Sequence, residues 1–143
     1  MENTEGYLKD IFIGKYIQDR VKELNIPETR IAKFIGCDEK LLQEYYNSKS
    51  VEADVLLRFS KILEYDFFRL YSQHLIFYAP PSSVLDQEQV QHSSLPKFRK
   101  NIYTREMIDF VLGLIRNNEK SIKDVIEDYR IPKTTLYRWL RKH

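Results

Sequence analysis

The chain has 143 residues, 43% hydrophobic and 31% charged, enough apolar surface to fold as one compact domain or two very small ones. It has no apolar run of the roughly 18 to 20 residues that cross a bilayer, and its single cysteine, Cys37, excludes an internal disulfide and a zinc-binding thiolate cluster. The net charge of +2 is unevenly spread: residues 1–95 carry eleven Lys and Arg against fifteen Asp and Glu, whereas residues 96–143 carry twelve against six. An acidic front and a basic back predict two modules with different electrostatic tasks, the basic one with the footprint of a polyanion binder.

In chain order, the N-terminal stretch is acidic at its start and has no basic leader ahead of an apolar run, so a cytoplasmic protein is expected. Ile13, Ile17, Val21 and Leu24 then form one helical stripe that stops before Asn25-Ile26-Pro27. A second helix is predicted over 28–35, with Ile31 and Phe34 inward. Gly36-Cys37-Asp38 turns the chain, and Asp38 is placed to cap a third helix containing Leu41, Leu42 and Tyr45 or Tyr46. A fourth helix over 52–63 should bury Val55, Leu56, Phe59, Ile62 and Leu63. Asp66 is placed to cap a fifth, carrying Phe67, Leu70, Tyr71 and Leu75. Tyr45, Tyr46, Tyr65, Phe67, Phe68, Tyr71, Phe77 and Tyr78 are more aromatic bulk than a small bundle easily buries, which predicts an exposed aromatic patch for self-association.

Residues 79–96 break the pattern with Pro80-Pro81-Ser82-Ser83, a Gln-rich piece that has room for a short helix over 84–90, and Ser93-Ser94-Leu95-Pro96. This composition reads as a linker. Three further helices follow. Thr104 is placed to cap the first, with Met107, Ile108, Val111, Leu112 and Ile115 inward. Ser121, with Asp124 three residues on, should cap the second, which turns Ile122, Val125, Ile126 and Tyr129 inward. A short Arg130-Ile131-Pro132 joint leads to the third, 133–143, with Leu136, Trp139 and Leu140 as its core face; proline is tolerated at that start because no intrahelical donor is lost.

The last two helices, joined by so few residues, fit a helix-turn-helix, in which the second helix lies in the major groove. With the core positions set aside, Lys133, Thr134, Thr135, Tyr137, Arg138, Arg141 and Lys142 remain as donors for phosphates and base edges. Arg138 can offer a bidentate fork to guanine, and Thr134 can meet a base edge or a thymine methyl. Lys97, Arg99 and Lys100, just ahead of this module, make a basic arm of the kind that reaches a minor groove.

The run Ser121-Ile122-Lys123-Asp124-Val125, followed by Tyr129-Arg130-Ile131-Pro132-Lys133-Thr134-Thr135-Leu136-Tyr137-Arg138-Trp139, resembles the homeodomain-like helix-turn-helix of transposases and pipsqueak-type modules. The resemblance covers about forty residues and implies DNA binding through the helix that opens at Ile131-Pro132. Arg130 departs from the pattern, since many such modules have glycine in this turn. If φ is positive there, arginine costs on the order of 1 kcal/mol.

The front of the chain is similar to the lambda-repressor-like helix-turn-helix fold over about residues 10–76. The residues that carry this are Ile13-Gly14-Lys15-Tyr16-Ile17, the run from Thr29 through Ala32 and Gly36 to Asp38, and Leu56-Leu57-Arg58-Phe59-Ser60-Lys61-Ile62-Leu63 with Phe67-Phe68. Its presumed reading helix begins Asp38-Glu39-Lys40 and contains Glu44, which would face phosphates unfavourably, with Lys33, Lys40 and Lys49 as compensation. DNA contact and a dimerisation or partner-binding role both remain open for this module.

The expected fold is all-α: a five-helix lambda-repressor-like bundle (1–78), a linker (79–96) and a three-helix homeodomain-like module (97–143). The expected function is sequence-specific binding of double-stranded DNA, as a transcription regulator or a stand-alone DNA-binding subunit from a mobile element. Such a protein would be cytoplasmic and nucleoid-associated when bound, with a homodimer formed through the N-terminal bundle. The alternative is an adaptor or antitoxin-like protein, whose N-terminal bundle holds a protein partner while the C-terminal module tethers it to DNA. No enzyme is expected, because no run of strands exists to carry a metal-binding acidic triad, and a tyrosine recombinase needs a larger domain. Neither a cofactor nor a metal is expected, since His74, His92 and His143 lie far apart without ligand spacing.

Overall fold

The stripe of Ile13, Ile17 and Val21 becomes, in the computed structural model, the buried face of a helix that ends where Asn25 turns left-handed at φ 55°. The structure describes residues 9–79, 93–96 and 102–143. Among them all regular structure is helical: α1 (Ile13–Leu24), α2 (Glu28–Ile35), α3 (Glu39–Tyr46), α4 (Ala53–Ile62), α5 (Phe68–Tyr78), α6 (Arg105–Arg116), α7 (Ile122–Tyr129) and α8 (Lys133–Lys142). No described helix is long and apolar enough to cross a membrane. The all-α class read from the sequence is therefore the class observed. The chain divides into two compact units, Met1–Ser72 and Gln73–His143, and the division falls within α5.

In the first unit, Phe12 precedes α1 and has no capping oxygen, so backbone carbonyls meet the first donors of that helix. Ile13 N–H donates to Lys49 O and Gly14 N–H to Ser48 O, each at 3.0 Å. This close approach requires glycine at position 14. α2 stops at Gly36, whose φ of 84° suits a residue without Cβ, and Asp38 caps α3 by accepting from Leu41 N–H at 2.7 Å. The core gathers Ile13, Ile17, Ile31, Leu42, Phe59, Leu63 and Phe67. Two arginines fasten helix ends to it: Arg58 donates to Ile35 O at 3.0 Å, and Arg20 donates to Leu63 O at 3.1 Å while lying over the Tyr65 ring.

Several inward expectations are corrected. Phe34 is 49% exposed, because Ile31, Ala32 and Ile35 already occupy the inward arc of α2. Leu41 and Leu75 are also exposed, and Val55 and Ile62 are half-buried. The expected aromatic patch is not present as such. Tyr46, Phe67 and Phe77 are buried, Tyr45 packs edge-on against Phe59, and of the aromatic set only Tyr65 is exposed. The exposed large apolar residues among the described residues of this unit are instead Phe12, Phe34, Leu41, Leu57 and Tyr65.

In the second unit, Thr104 caps α6 through Met107 N–H, and Ser121 forms a full capping box with Asp124 on α7. Met107, Val111, Leu112, Val125, Ile131 and Leu136 form the core, with Trp139 packed edge-on against Tyr103 at 5.0 Å. Ile108, Ile115, Ile122, Ile126 and Leu140, also expected inward, are half-buried. Arg116 donates to the carbonyl of His143, fastening the end of α8 to the end of α6. Phe77 also belongs here, against Phe110 and Tyr129. The short helix expected over 84–90 lies outside the described residues.

Candidate nucleic-acid interface

α8 takes its position from three anchors. Ile131, 1% exposed, plugs the core immediately before the helix; Leu136 and Trp139 then bury one face. Pro132 fixes the entry with φ −56°, and its carbonyl accepts the first intrahelical bond from Leu136 N–H. Once Leu136 and Trp139 face inward, the helical period sets everything else. Thr134, Arg138 and Arg141, at i, i+4 and i+7, form one ridge opposite the core, spanning about 10 Å at 1.5 Å per residue. All three are exposed. Lys133, Tyr137 and Lys142 flank that ridge and are exposed too, whereas Thr135 is half-buried on the side nearer the core.

The electrostatics of this face are one-sided. α8 contains four cations and no carboxylate; the six acidic residues of 96–143 all precede it, at Glu106, Asp109, Glu119, Asp124, Glu127 and Asp128. Among the described residues Arg138, Arg141 and Lys142 have no ion-pair partner, and Lys133 lies over the Tyr137 ring at 5.8 Å. Lys120 is a contrast within the same unit. It is paired with Asp128 and sits 4.9 Å from the Tyr129 centroid, and the hydrogen bond to Asp128 holds its ammonium above the usual lysine pKa. Lys120 thus serves the fold, while Arg138, Arg141 and Lys142 of α8 are exposed and form no ion pair among the described residues.

Such a face can do two things chemically. Its guanidinium and ammonium groups can neutralise phosphates, and a helix of 10–12 Å diameter with a central Thr-Arg-Arg ridge matches a major groove about 12 Å wide. Lys97, Arg99 and Lys100 of the expected basic arm lie outside the described residues. Two further exposed cations, Lys123 on α7 and Arg130 in the turn, have no DNA-contacting role assigned from the sequence. The signal for Arg130 is its place in a turn where glycine is usual, and its φ is indeed positive, at 54°.

The corresponding surface of the first unit differs. α3 exposes Glu39 and Glu44 beside Lys40, and Asp38 is engaged as its cap. Cys37, in the turn before it, is half-buried, and burial, followed by the nearby Asp38 charge, raises its thiol pKa, so it stays protonated at neutral pH. Among the described residues no group of three or more His, Cys, Asp or Glu side chains could hold a metal ion. No family model matches the chain, and no curated protein or solved structure is detectably similar to it.

Proposed function

We propose that this protein binds double-stranded DNA in a sequence-specific manner, with α8 in the major groove and α7 crossing above it as the first helix of a helix-turn-helix. The observation that carries the reading is the outward face of α8: the exposed ridge of Thr134, Arg138 and Arg141 flanked by further cations, in a helix with no carboxylate. In this reading Arg138 and Thr134 meet base edges, while Lys133, Tyr137, Arg141 and Lys142 position the helix on phosphates, and Thr135 supports from the flank. Lys97, Arg99 and Lys100 add an arm to the backbone or minor groove.

The biological role that fits is a cytoplasmic transcription regulator, or the DNA-binding subunit of a mobile element, which would join the nucleoid when bound. The first unit, a lambda-repressor-like bundle in this reading, supplies the second half of the assembly. One small reading helix binds modestly, and pairing two copies raises avidity by about 10² to 10⁴. A specific observation also favours the adaptor reading: Phe34, Leu41 and Leu57 are exposed apolar side chains on the unit whose α3 is acidic, features suited to a protein partner.

The test is selection of bound sequences from random duplexes with the full chain, followed by sedimentation with and without the selected duplex. Enrichment of a motif with two half-sites, with a dimer in sedimentation, supports the regulator. One half-site and a monomer favour the adaptor. No enrichment and no salt-dependent binding remove DNA reading altogether.

A further inference from the structure

The turn between α7 and α8 places a cation where the backbone favours glycine. Arg130 has φ 54° and ψ 35°, in the left-handed region. Its neighbours pin it there: Tyr129 is 8% exposed and Ile131 is 1% exposed, so the backbone cannot rotate away without emptying the core on one side. Most other positive-φ positions among the described residues are Asn25, Asn118 and Gly36, residues that adopt this conformation at less cost. Among the described residues Glu64 is the other exception, and its carbonyl accepts a hydrogen bond from Arg20 of the same unit at 3.4 Å.

We infer that Arg130 is a phosphate-contacting residue of the DNA interface. The inference rests on the α8 reading proposed above. Arg130 is exposed and stands two residues ahead of Pro132, the N-cap of α8, so its Cα lies within about 7 Å of the end of the helix that enters the groove. With α8 in the groove, that end faces the rim of the groove, where a phosphate row runs. A planar guanidinium can grip one phosphate through two parallel donors, which an ammonium at the same place cannot. Such a contact strengthens binding on every sequence and fixes register, but reads no base. Arg130 thereby extends the cationic face of α8, beginning at Lys133, around the corner onto the turn.

The experiment compares the full chain with Arg130→Gly and Arg130→Lys. Binding to a pool of random-sequence duplexes is titrated from about 50 to 200 mM salt by fluorescence anisotropy, and thermal unfolding is recorded for each variant. Arg130→Gly should lower the slope of log affinity against log salt by about 0.9, which makes its deficit about threefold larger at the low-salt end than at the high-salt end. Its thermal unfolding should stay cooperative, since glycine adopts the left-handed backbone at this position without strain, so the slope is read on folded protein. Arg130→Lys should retain the slope. An unchanged slope in Arg130→Gly, with a parent that binds, overturns the role of Arg130 and leaves the α8 reading standing. Loss of cooperative unfolding alongside the lost slope overturns it as well, because the lost affinity would then reflect a fold that no longer forms. A parent that shows no salt-dependent binding overturns both.

Discussion

Phe77 stacks on Tyr129 with ring centroids 5.0 Å apart, and the same ring meets Phe110 at 5.6 Å. Phe77 precedes the proline-rich stretch, yet its ring completes the core of the unit that contains α6, α7 and α8. Only 4% of Phe77 is exposed, so Phe77→Ala leaves a cavity beneath Tyr129 and should cost about 3–5 kcal/mol of that unit's stability. Urea unfolding of the full chain checks this, and hydrogen exchange locates it. The amides of Val125 and Tyr129 should lose protection, while those of Ile17 and Phe59 in the first unit should keep it. Equal loss in both units would show that the effect is not local to this core.

Gly14 gives a sharper steric prediction. A Cβ at this position would lie 2.3 Å from Tyr45 O, 2.4 Å from Tyr46 O and 2.7 Å from Ser48 O, all backbone atoms that cannot swing aside. Gly14→Ala must therefore part α1 from the end of α3 and break the bond from Gly14 N–H to Ser48 O. Overpacking of this kind costs about 1–3 kcal/mol, and the lost hydrogen bond adds about 1 kcal/mol. A midpoint in urea unchanged from the parent would mean that the two elements do not approach so closely.

Tyr46 is 3% exposed, and its hydroxyl has no hydrogen-bond partner among the described residues. Burial, with smaller contributions from Glu28 and Cys37, pushes its pKa up to about 12. The folded value thus lies above the ordinary tyrosine value of about 10 found in the unfolded chain. Below that ordinary value the hydroxyl is protonated in both states. Between about 10 and 12 the unfolded chain gives up the proton and the folded protein does not, so stability falls as pH rises, by up to about 1.4 kcal/mol per pH unit. Tyr46→Phe should remove that part of the alkaline loss and raise stability near neutral pH by about 1 kcal/mol, since the orphaned hydroxyl disappears. Tyr45 and Tyr71 are shifted in the same direction, so some alkaline slope will persist. Destabilisation by Tyr46→Phe at neutral pH would reveal a partner for the hydroxyl.

Much of this was legible in the sequence because caps and stripes are local signals. Asp38, Thr104 and Ser121 cap the helices they were expected to cap, and Ile13, Ile17 and Val21 are buried as their spacing requires. What escaped depends on contacts distant along the chain. Phe34 and Ile31 are three residues apart and share a helical arc, so nothing local says that one is buried and the other left in water. The environment of Phe77 depends on Phe110 and Tyr129, residues on the far side of a proline-rich break. At the candidate site, setting aside Leu136, Trp139 and Leu140 leaves the outward residues of α8, although Thr135 is half-buried. Arg130 was visible only as a departure from a glycine-bearing turn, and its φ of 54° gives that departure its physical meaning.

The last prediction separates base reading from backbone holding within α8. Arg138 sits mid-ridge, one turn after Thr134, and both are exposed. A bidentate contact from Arg138 to a guanine edge should make Arg138→Ala cost about 1–3 kcal/mol on the selected site and relax the preference at one base pair. Thr134→Ala should act at a neighbouring base pair and cost less, since a hydroxyl or methyl contact is weaker than a charged fork. Lys142→Ala, at the other end of the helix, should weaken binding to all sequences about equally and lower the salt slope by about one unit. The three patterns are read by repeating the selection with each variant and measuring affinity on the parent's site at fixed salt. If Arg138→Ala and Thr134→Ala both keep the parent's motif and affinity, α8 is not the helix in the groove. If instead Arg138→Ala loses affinity on every sequence alike, α8 lies on the phosphates and some other element reads the bases.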